Sequence, residues 1–401
     1  MEDKKTWDLI SVASIPLVMT LGNSMLIPVL PTMEKEMNVS AFQVSMIITV
    51  YSVVAILLIP IAGYLSDRYG RKRIIIPSLI IAALGGALSG WAAWQTPDPY
   101  ALIIVGRFFQ GVGAAGAAPI VMPLVGDMFQ NEHDVSHGLG VIETSNTFGK
   151  VLSPVLGAAL AAVIWYLPFF AFPLFCLVSV IAMYFLVHTP KKQEKPPLFK
   201  EFLKSIKKTF RQDGTWLYAI FAIGCICMFV IFGILFYLST MLEEQHGILG
   251  VKKGIVLAIP LAALCLSSYV TGKSIGKDKE KMKWTTFLGL LLLTGCNVSV
   301  AFSKDIYLLL SAMFASGIGI GVALPSMDAL VTEGIAKKER GTITSIYSSM
   351  RFVGIALAPP VIALLMKGSH LLLFGVLALV SLVATALTLI FIRPEKKTYT
   401  E

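Results

Sequence analysis

The sequence predicts an all-α membrane protein: twelve transmembrane helices in two pseudo-symmetric six-helix bundles, with the N- and C-termini cytoplasmic. Three observations predict it. The 401-residue chain is 56% hydrophobic and only 14% charged, where a water-soluble domain is nearer a quarter charged. Apolar stretches of about 20 residues, each able to cross a hydrocarbon core of ~30 Å as a helix, recur along its whole length. The basic residues between those stretches fall almost entirely on one side.

The spans read, in order, as 8–31, 41–64, 74–94, 99–129, 137–162, 166–187, 215–241, 250–271, 284–303, 306–331, 341–365 and 369–391. The first lacks a small-residue cleavage pattern and is too long for a signal-peptide core, so it reads as mature structure. With the N-terminus inside, Lys35, Lys252, Lys253, Lys304 and Lys367 are the external Lys and Arg residues. The others outside the spans stay cytoplasmic, as the positive-inside rule requires. The net charge of +9 is therefore topogenic and not a nucleic-acid footprint. Trp7, Trp91, Trp94, Trp165, Trp216 and Trp284 lie at span ends, where indole prefers the interface. The five cysteines lie within spans as apolar filler, and the five histidines show no metal spacing.

The longest polar interruption, 188–214, contains "LFKEFLKSIKKTF", a basic amphipathic pattern suited to the inner leaflet. It divides the chain into an N-terminal bundle (1–188), a cytoplasmic basic linker (189–214) and a C-terminal bundle (215–401). The bundles echo each other. Gly111, Gly113 and Pro119 match Gly317, Gly319 and Pro325; Asp127 matches Glu333; Gly149 and Pro154 match Gly354 and Pro359. Three matches in register indicate a duplication, the plan of many secondary transporters.

Four segments carry a resemblance. They are "LGNSMLIPVLP" (21–31), "GYLSDRYGRKR" (63–73), "LIIVGRFFQGVGAA" (102–115), and Gly140, Gly149, Ser153, Pro154 and Gly157 at fixed spacing in the fifth span. Together they resemble the 12-span drug/proton antiporters of the major facilitator superfamily, of the bacterial multidrug-efflux type, over essentially the whole chain. Ser153 and Ala158 stand where that pattern has glycines, and the loop between spans 8 and 9 is a degenerate copy of 63–73 without its aspartate. The resemblance implies a major-facilitator fold and alternating access, links the span 4 arginine, Arg107, to proton handling, and gives the span 5 motif a part in switching.

Charges inside spans point to the site independently of the family. A charge at mid-membrane costs ~2.5–3.5 kcal/mol even on the lenient insertion scale, so such residues face a cavity or a partner. Arg107, Glu143, Lys150 and Arg351 lie away from span ends. Arginine does not titrate, so Glu143 is the expected proton carrier, with Arg107 beside it. A buried structural network holding Arg107 and Lys150 through Glu143, Gln110 and free carbonyls is the alternative. Asn23, Gln110, Asn146, Lys150, Tyr347 and Arg351 are the expected cavity lining. Three positive charges to one negative favour a neutral, zwitterionic or anionic substrate over a simple cation.

At the cytoplasmic side, Gly63 is expected to allow close helix approach, and Gly70 a tight turn. Asp67 and Arg71 are spaced four apart for pairing, and Asp127 is a second acceptor for Arg71. This set reads as a cytoplasmic gate. The sequence shows no nucleophile–base pair, metal cluster or ATP-binding motif, so an enzyme is disfavoured and no cofactor beyond a proton gradient is expected. The expected function is proton-coupled export of small organic compounds, as drug or multidrug efflux, by a monomer in the bacterial cytoplasmic membrane. Its partners are a small organic substrate, protons and the lipid bilayer, not nucleic acid. A dedicated exporter of one metabolite, such as an anionic siderophore, is the alternative; a non-transporting receptor or scaffold is the second.

Overall fold

The computed structural model describes residues 3–129, 132–187, 199–276, 278–335 and 337–392. Its helices are α1 (Asp3–Ser24), α2 (Leu30–Glu36), α3 (Ala41–Tyr69), α4 (Arg71–Gln95), α5 (Tyr100–Met128), α6 (Glu132–Val163), α7 (Leu167–Phe185), α8 (Phe199–Glu244), α9 (Gly250–Ser274), α10 (Lys279–Ala301), α11 (Ile306–Gly334), α12 (Lys337–Leu365) and α13 (His370–Phe391). No strand occurs among the described residues. Twelve helical segments are long and apolar enough to cross a membrane, with α1 and α2 forming the first together. Their limits reproduce the spans read from sequence, mostly to within a few residues.

Local chemistry sets the breaks. Pro28 follows the end of α1, and a short 3-10 turn, Ile27–Val29, joins α1 to α2. Ser40 starts α3 with a capping box shared with Gln43. Gly70, at φ +103°, turns the chain between α3 and α4 in a conformation that L side chains rarely adopt. Asp278, Asp305 and Ser369 cap α10, α11 and α13 through side-chain acceptors.

The segment after residue 198 differs from the surface helix expected there. It is the start of α8, which continues without interruption for 46 residues, or about 69 Å at 1.5 Å per residue. No proline lies within it, and its glycine at 214 costs only ~1 kcal/mol, too little to end a helix of this length. The linker side chains from 189 to 213 and that of Glu333 lie outside the described residues.

The chain forms two compact units. The first comprises residues 1–199, 232–259 and 355–364; the second comprises 200–231, 260–354 and 365–401. In the first, α4 and α5 pack backbone to backbone: a Cβ at Gly113 would run into the Ser78 carbonyl and Ala82. In the second, α10 and α11 do the same at the matching position, where Gly289 and Gly319 face each other. Small residues that let backbones approach are the usual adhesive of membrane helices, and the duplicated halves use the same one.

Candidate functional site

In the first unit, the polar centre is built around Arg107 on α5. Its side chain is fully buried, and every nitrogen of its fork donates. Nε reaches the Ile47 carbonyl at 2.7 Å, and Nη1 the Gly22 carbonyl at 3.2 Å and Gln110 Oε1 at 2.5 Å. Nη2 reaches Asn23 Oδ1 at 2.6 Å. The guanidinium also stands 4.5 Å from the centre of the Tyr51 ring, a favourable cation–π position. The Gly22 carbonyl belongs to the last turn of α1, where carbonyls lack an intrahelical donor. Arg107 thus ties α1, α3 and α5 together with Asn23 and Gln110, two of the expected cavity residues. Glu143 does not contribute to this set, contrary to the network in which it holds Arg107.

Glu143, half-buried on α6, belongs to a second polar seam between α6 and α1. Asn146 Nδ2 and Thr147 Oγ1 each approach its Oε1 at 3.5 Å, and Thr20 donates to Asn146 Oδ1 at 2.7 Å. Ser145 donates to the Ala13 carbonyl at 2.7 Å. The span 5 motif supplies the closeness this needs. Gly149 faces Leu17 and Thr20, and a Cβ at Gly157 would strike the Met25 backbone. Ser153, fully buried, donates to the Lys150 carbonyl at 3.0 Å. Pro154 stays inside α6. Gly140, by contrast, has nothing within 4 Å of where its Cβ would be, so it is not a packing glycine here. Lys150 is half-buried on the same helix.

At the face of the membrane where α3 ends, the charges of 63–73 assemble as their spacing predicts. Arg71 Nη2 pairs with Asp67 at 2.7 Å, its Nε with Asp127 at 3.0 Å, and its Nη1 donates to Ser66 Oγ at 2.7 Å. Lys72 donates to the Tyr184 and Val187 carbonyls at 2.9 and 2.8 Å, capping the end of α7. The close approach expected at Gly63 is not made, for nothing lies within 4 Å of its Cβ position.

The opposite face holds an ion cluster that sequence reasoning missed. Glu243 on α8 accepts from Lys35 on α2 and from Lys253 on α9, each at 2.8 Å, with Thr32 at 3.4 Å. Lys253 is 2% exposed and Glu243 5%, while Lys35 is 59% exposed. Lys253, read as a loop charge, is one of the largest buried side chains in the protein.

In the second unit, Tyr347 and Arg351 stand one turn apart on α12. Arg351 Nη1 lies 3.5 Å from Asp328 Oδ1 on α11, and its guanidinium 5.7 Å from the Tyr347 ring. Phe221 of α8 stacks on that ring, with centroids 6.0 Å apart and planes at 26°. Asp328 is a second missed residue.

The Major Facilitator Superfamily model matches residues 12–304 and 281–401. The chain is 54% identical over 390 residues to the bacillibactin exporter of Bacillus subtilis (strain 168), covering 97% of both chains. It is 24% identical over 372 residues to the multidrug efflux protein YfmO of the same organism, covering 89% of this chain and 85% of that one. Among solved structures, it superposes on a D-xylose–proton symporter with a TM-score of 0.78 at 14% identity, covering 98% of this chain and 99% of that one.

Proposed function

Because the chain belongs to the Major Facilitator Superfamily, as a multi-pass transporter of the bacterial plasma membrane, we propose that it exports one siderophore of the bacillibactin kind. Export proceeds by alternating access in exchange for inward-moving protons. The observation that carries the substrate is the 54% identity to the bacillibactin exporter along 97% of both chains. This favours the single-metabolite alternative over the multidrug reading, for which relatives such as YfmO stand at about 24%. The charge content of the spans agrees: Arg107, Lys150 and Arg351 outnumber Glu143 and Asp328, which suits an oxygen-rich, neutral or anionic compound and not a lipophilic cation.

In this reading the termini are cytoplasmic, and the Asp67–Arg71–Asp127 cluster is the cytoplasmic latch. The Lys35–Glu243–Lys253 cluster lies at the extracellular mouth and holds it shut. Arg107, saturated with acceptors, organises the N-terminal half without itself exchanging a proton. Glu143 is the candidate proton carrier, and Asn23, Gln110, Asn146 and Lys150 in the first unit and Tyr347 and Arg351 in the second are the candidate substrate contacts.

The test is flux in proteoliposomes under an imposed pH gradient, comparing bacillibactin with a permanently cationic dye. Bacillibactin movement driven by the gradient, with little or no dye movement, is the expected result. Dye transport without bacillibactin transport returns the protein to drug efflux, and movement of neither makes it a non-transporting member of the fold.

A further inference from the structure

Pro359 and Pro360 stay inside α12, and both are buried. A proline has no N–H to give to the carbonyl four residues back. Pro360 therefore denies the Ala356 carbonyl its α-helical donor, and Pro359 denies it the 3-10 alternative. Inside a membrane span such a carbonyl needs another partner. It has one on a different helix: Thr49 Oγ1 of α3 donates to it at 2.7 Å. The same hydroxyl lies 3.3 Å from the Ser45 carbonyl of its own helix, so it keeps an acceptor whether or not α12 is near.

A second hydroxyl does the same. Ser239 Oγ of α8, fully buried, donates to the Ile27 carbonyl at 3.0 Å. Pro31 denies that carbonyl its α-helical donor and leaves it the 3-10 bond from the Leu30 amide. At 1.5 Å per residue, Ala356 lies about 13.5 Å in from the end of α12 and Ser239 about 7.5 Å in from the end of α8, on the face that holds the Lys35–Glu243–Lys253 cluster. Both bonds join N-terminal helices to 232–259 and 355–364, the stretches from the second half of the chain that belong to the first unit.

The repeats show that proline alone does not dictate this arrangement. On α6, Pro154 denies the Lys150 carbonyl its donor, and Ser153 of the same helix replaces it at 3.0 Å. Ala358 stands at the repeat position of Ser153 and has no hydroxyl. At the repeat position of Thr49 stands Gly254, where a Cβ would strike the Pro154 carbonyl. One repeat thus closes its gap within the helix. The other closes it through a neighbouring helix, and that bond breaks when the helices separate.

We propose that Thr49 and Ser239 are positioning residues of the transport cycle: their hydroxyls bolt shut the face of the membrane at which α3 begins, by serving carbonyls that Pro360 and Pro31 leave short of a donor. Opening that face takes Thr49 from Ala356 and Ser239 from Ile27. Thr49 turns back to the Ser45 carbonyl, and the two released carbonyls bond to the water that enters. The bolts favour the shut state by the difference between a well-placed hydrogen bond and its replacements. That difference is small, so it sets the ratio of the two states without locking either. The inference rests on the alternating-access reading and names what sets its balance at this face.

The experiment measures bacillibactin transport by the full chain in oriented vesicles, with the compound offered at each face in turn. T49V keeps the shape of the side chain without its donor, and T49S keeps the donor. T49V is expected to lower the half-saturating concentration at the face where α3 begins by up to about tenfold, with no change or a rise at the opposite face. T49S behaves as the wild type. S239A gives a shift of the same sign and smaller size, because Ile27 keeps the Leu30 amide. P360A supplies the missing amide to Ala356 within α12, so T49V adds nothing in that background. A loss of maximal rate with both half-saturating concentrations unchanged makes Thr49 a packing residue and overturns the inference, as does an equal T49V effect with and without Pro360. Should P360A not be recovered folded, T49V against T49S decides: the same shift in both, or none in either, overturns the inference and leaves the exporter reading standing. No bacillibactin flux in the wild type overturns the exporter reading, and the inference with it.

Discussion

Arg107 and Lys253 are both buried cations, and they are stabilised in different ways. Arg107 uses its planar fork to satisfy two carbonyls and two amide oxygens on three helices. A lysine there offers a point charge with three donors and cannot reproduce the fork. Arg107→Lys is therefore expected to lower the Tm in detergent by several degrees, and Arg107→Met to lower it further, since four acceptors then lose their donor at roughly 1–3 kcal/mol each. Scanning fluorimetry checks the order. Lys253 depends on Glu243 instead. Glu243→Gln leaves a buried ammonium without its carboxylate and is expected to cost ~3–5 kcal/mol. Lys35→Met removes an exposed partner and is expected to cost under about 1 kcal/mol. Equal losses in the two variants would contradict the account. The sequence hid this cluster for a physical reason. Lys252 and Lys253 are adjacent, and at 100° per residue a helix buries only one of them. Which one depends on the rotation of α9 against α8, and nothing in the spacing specifies that. Asp328 was hidden for a similar reason. Three residues inside the end of its span, it looks like a boundary charge, and only α12 lying beside α11 turns it into half of a pair.

At the scale of the elements, the legible part was the hydrophobic periodicity and its interruptions. The twelve spans, the turn at Gly70 and the pairing of Arg71 with Asp67 follow from local spacing, and the helices place them as that spacing implies. The glycine motifs were legible as motifs but not individually, because sequence gives no neighbour for a missing side chain. Gly157 faces the Met25 backbone, while Gly140 and Gly63 face open space. Gly157→Ala is accordingly expected to force α1 from α6 and lower both Tm and flux. Gly140→Ala is expected to be neutral or to stabilise by up to ~1 kcal/mol through helix propensity. A Tm series across the two alanine variants tests this, and a drop at Gly140 as large as at Gly157 would mean that its space is filled in another state. The continuity of α8 was not legible, since a basic amphipathic stretch fits a surface helix and the extension of a span equally well.

For the whole molecule, the proposed latch at Asp67 predicts a separation of insertion from turnover. Coupling energies of 1–3 kcal/mol between conformational states correspond to rate or population effects of ~5–150-fold. Asp67→Asn is thus expected to lower substrate flux about tenfold while the amount of the variant in the membrane stays near that of the wild type. Flux normalised to membrane-extracted protein provides the check, and a parallel fall in both reduces the cluster to a topology signal. The duplication organises the two polar centres in the same spirit. Arg351 occupies the repeat position of Asn146, so one half holds a neutral amide where the other holds a cation and its carboxylate.

The burial of Lys253 also gives the native chain its own clock. An amine-reactive reagent too polar to cross lipid reaches that ammonium only while Glu243 has let it go, whereas Lys35, 59% exposed, stays accessible to it from the solvent side. Mass-spectrometric footprinting of the two lysines in one sample, with Lys35 as internal standard, therefore reads the fraction of time this ion cluster stands open. No label need be engineered into the protein, and the change in that fraction when a candidate substrate is added measures how far binding alone moves the cluster.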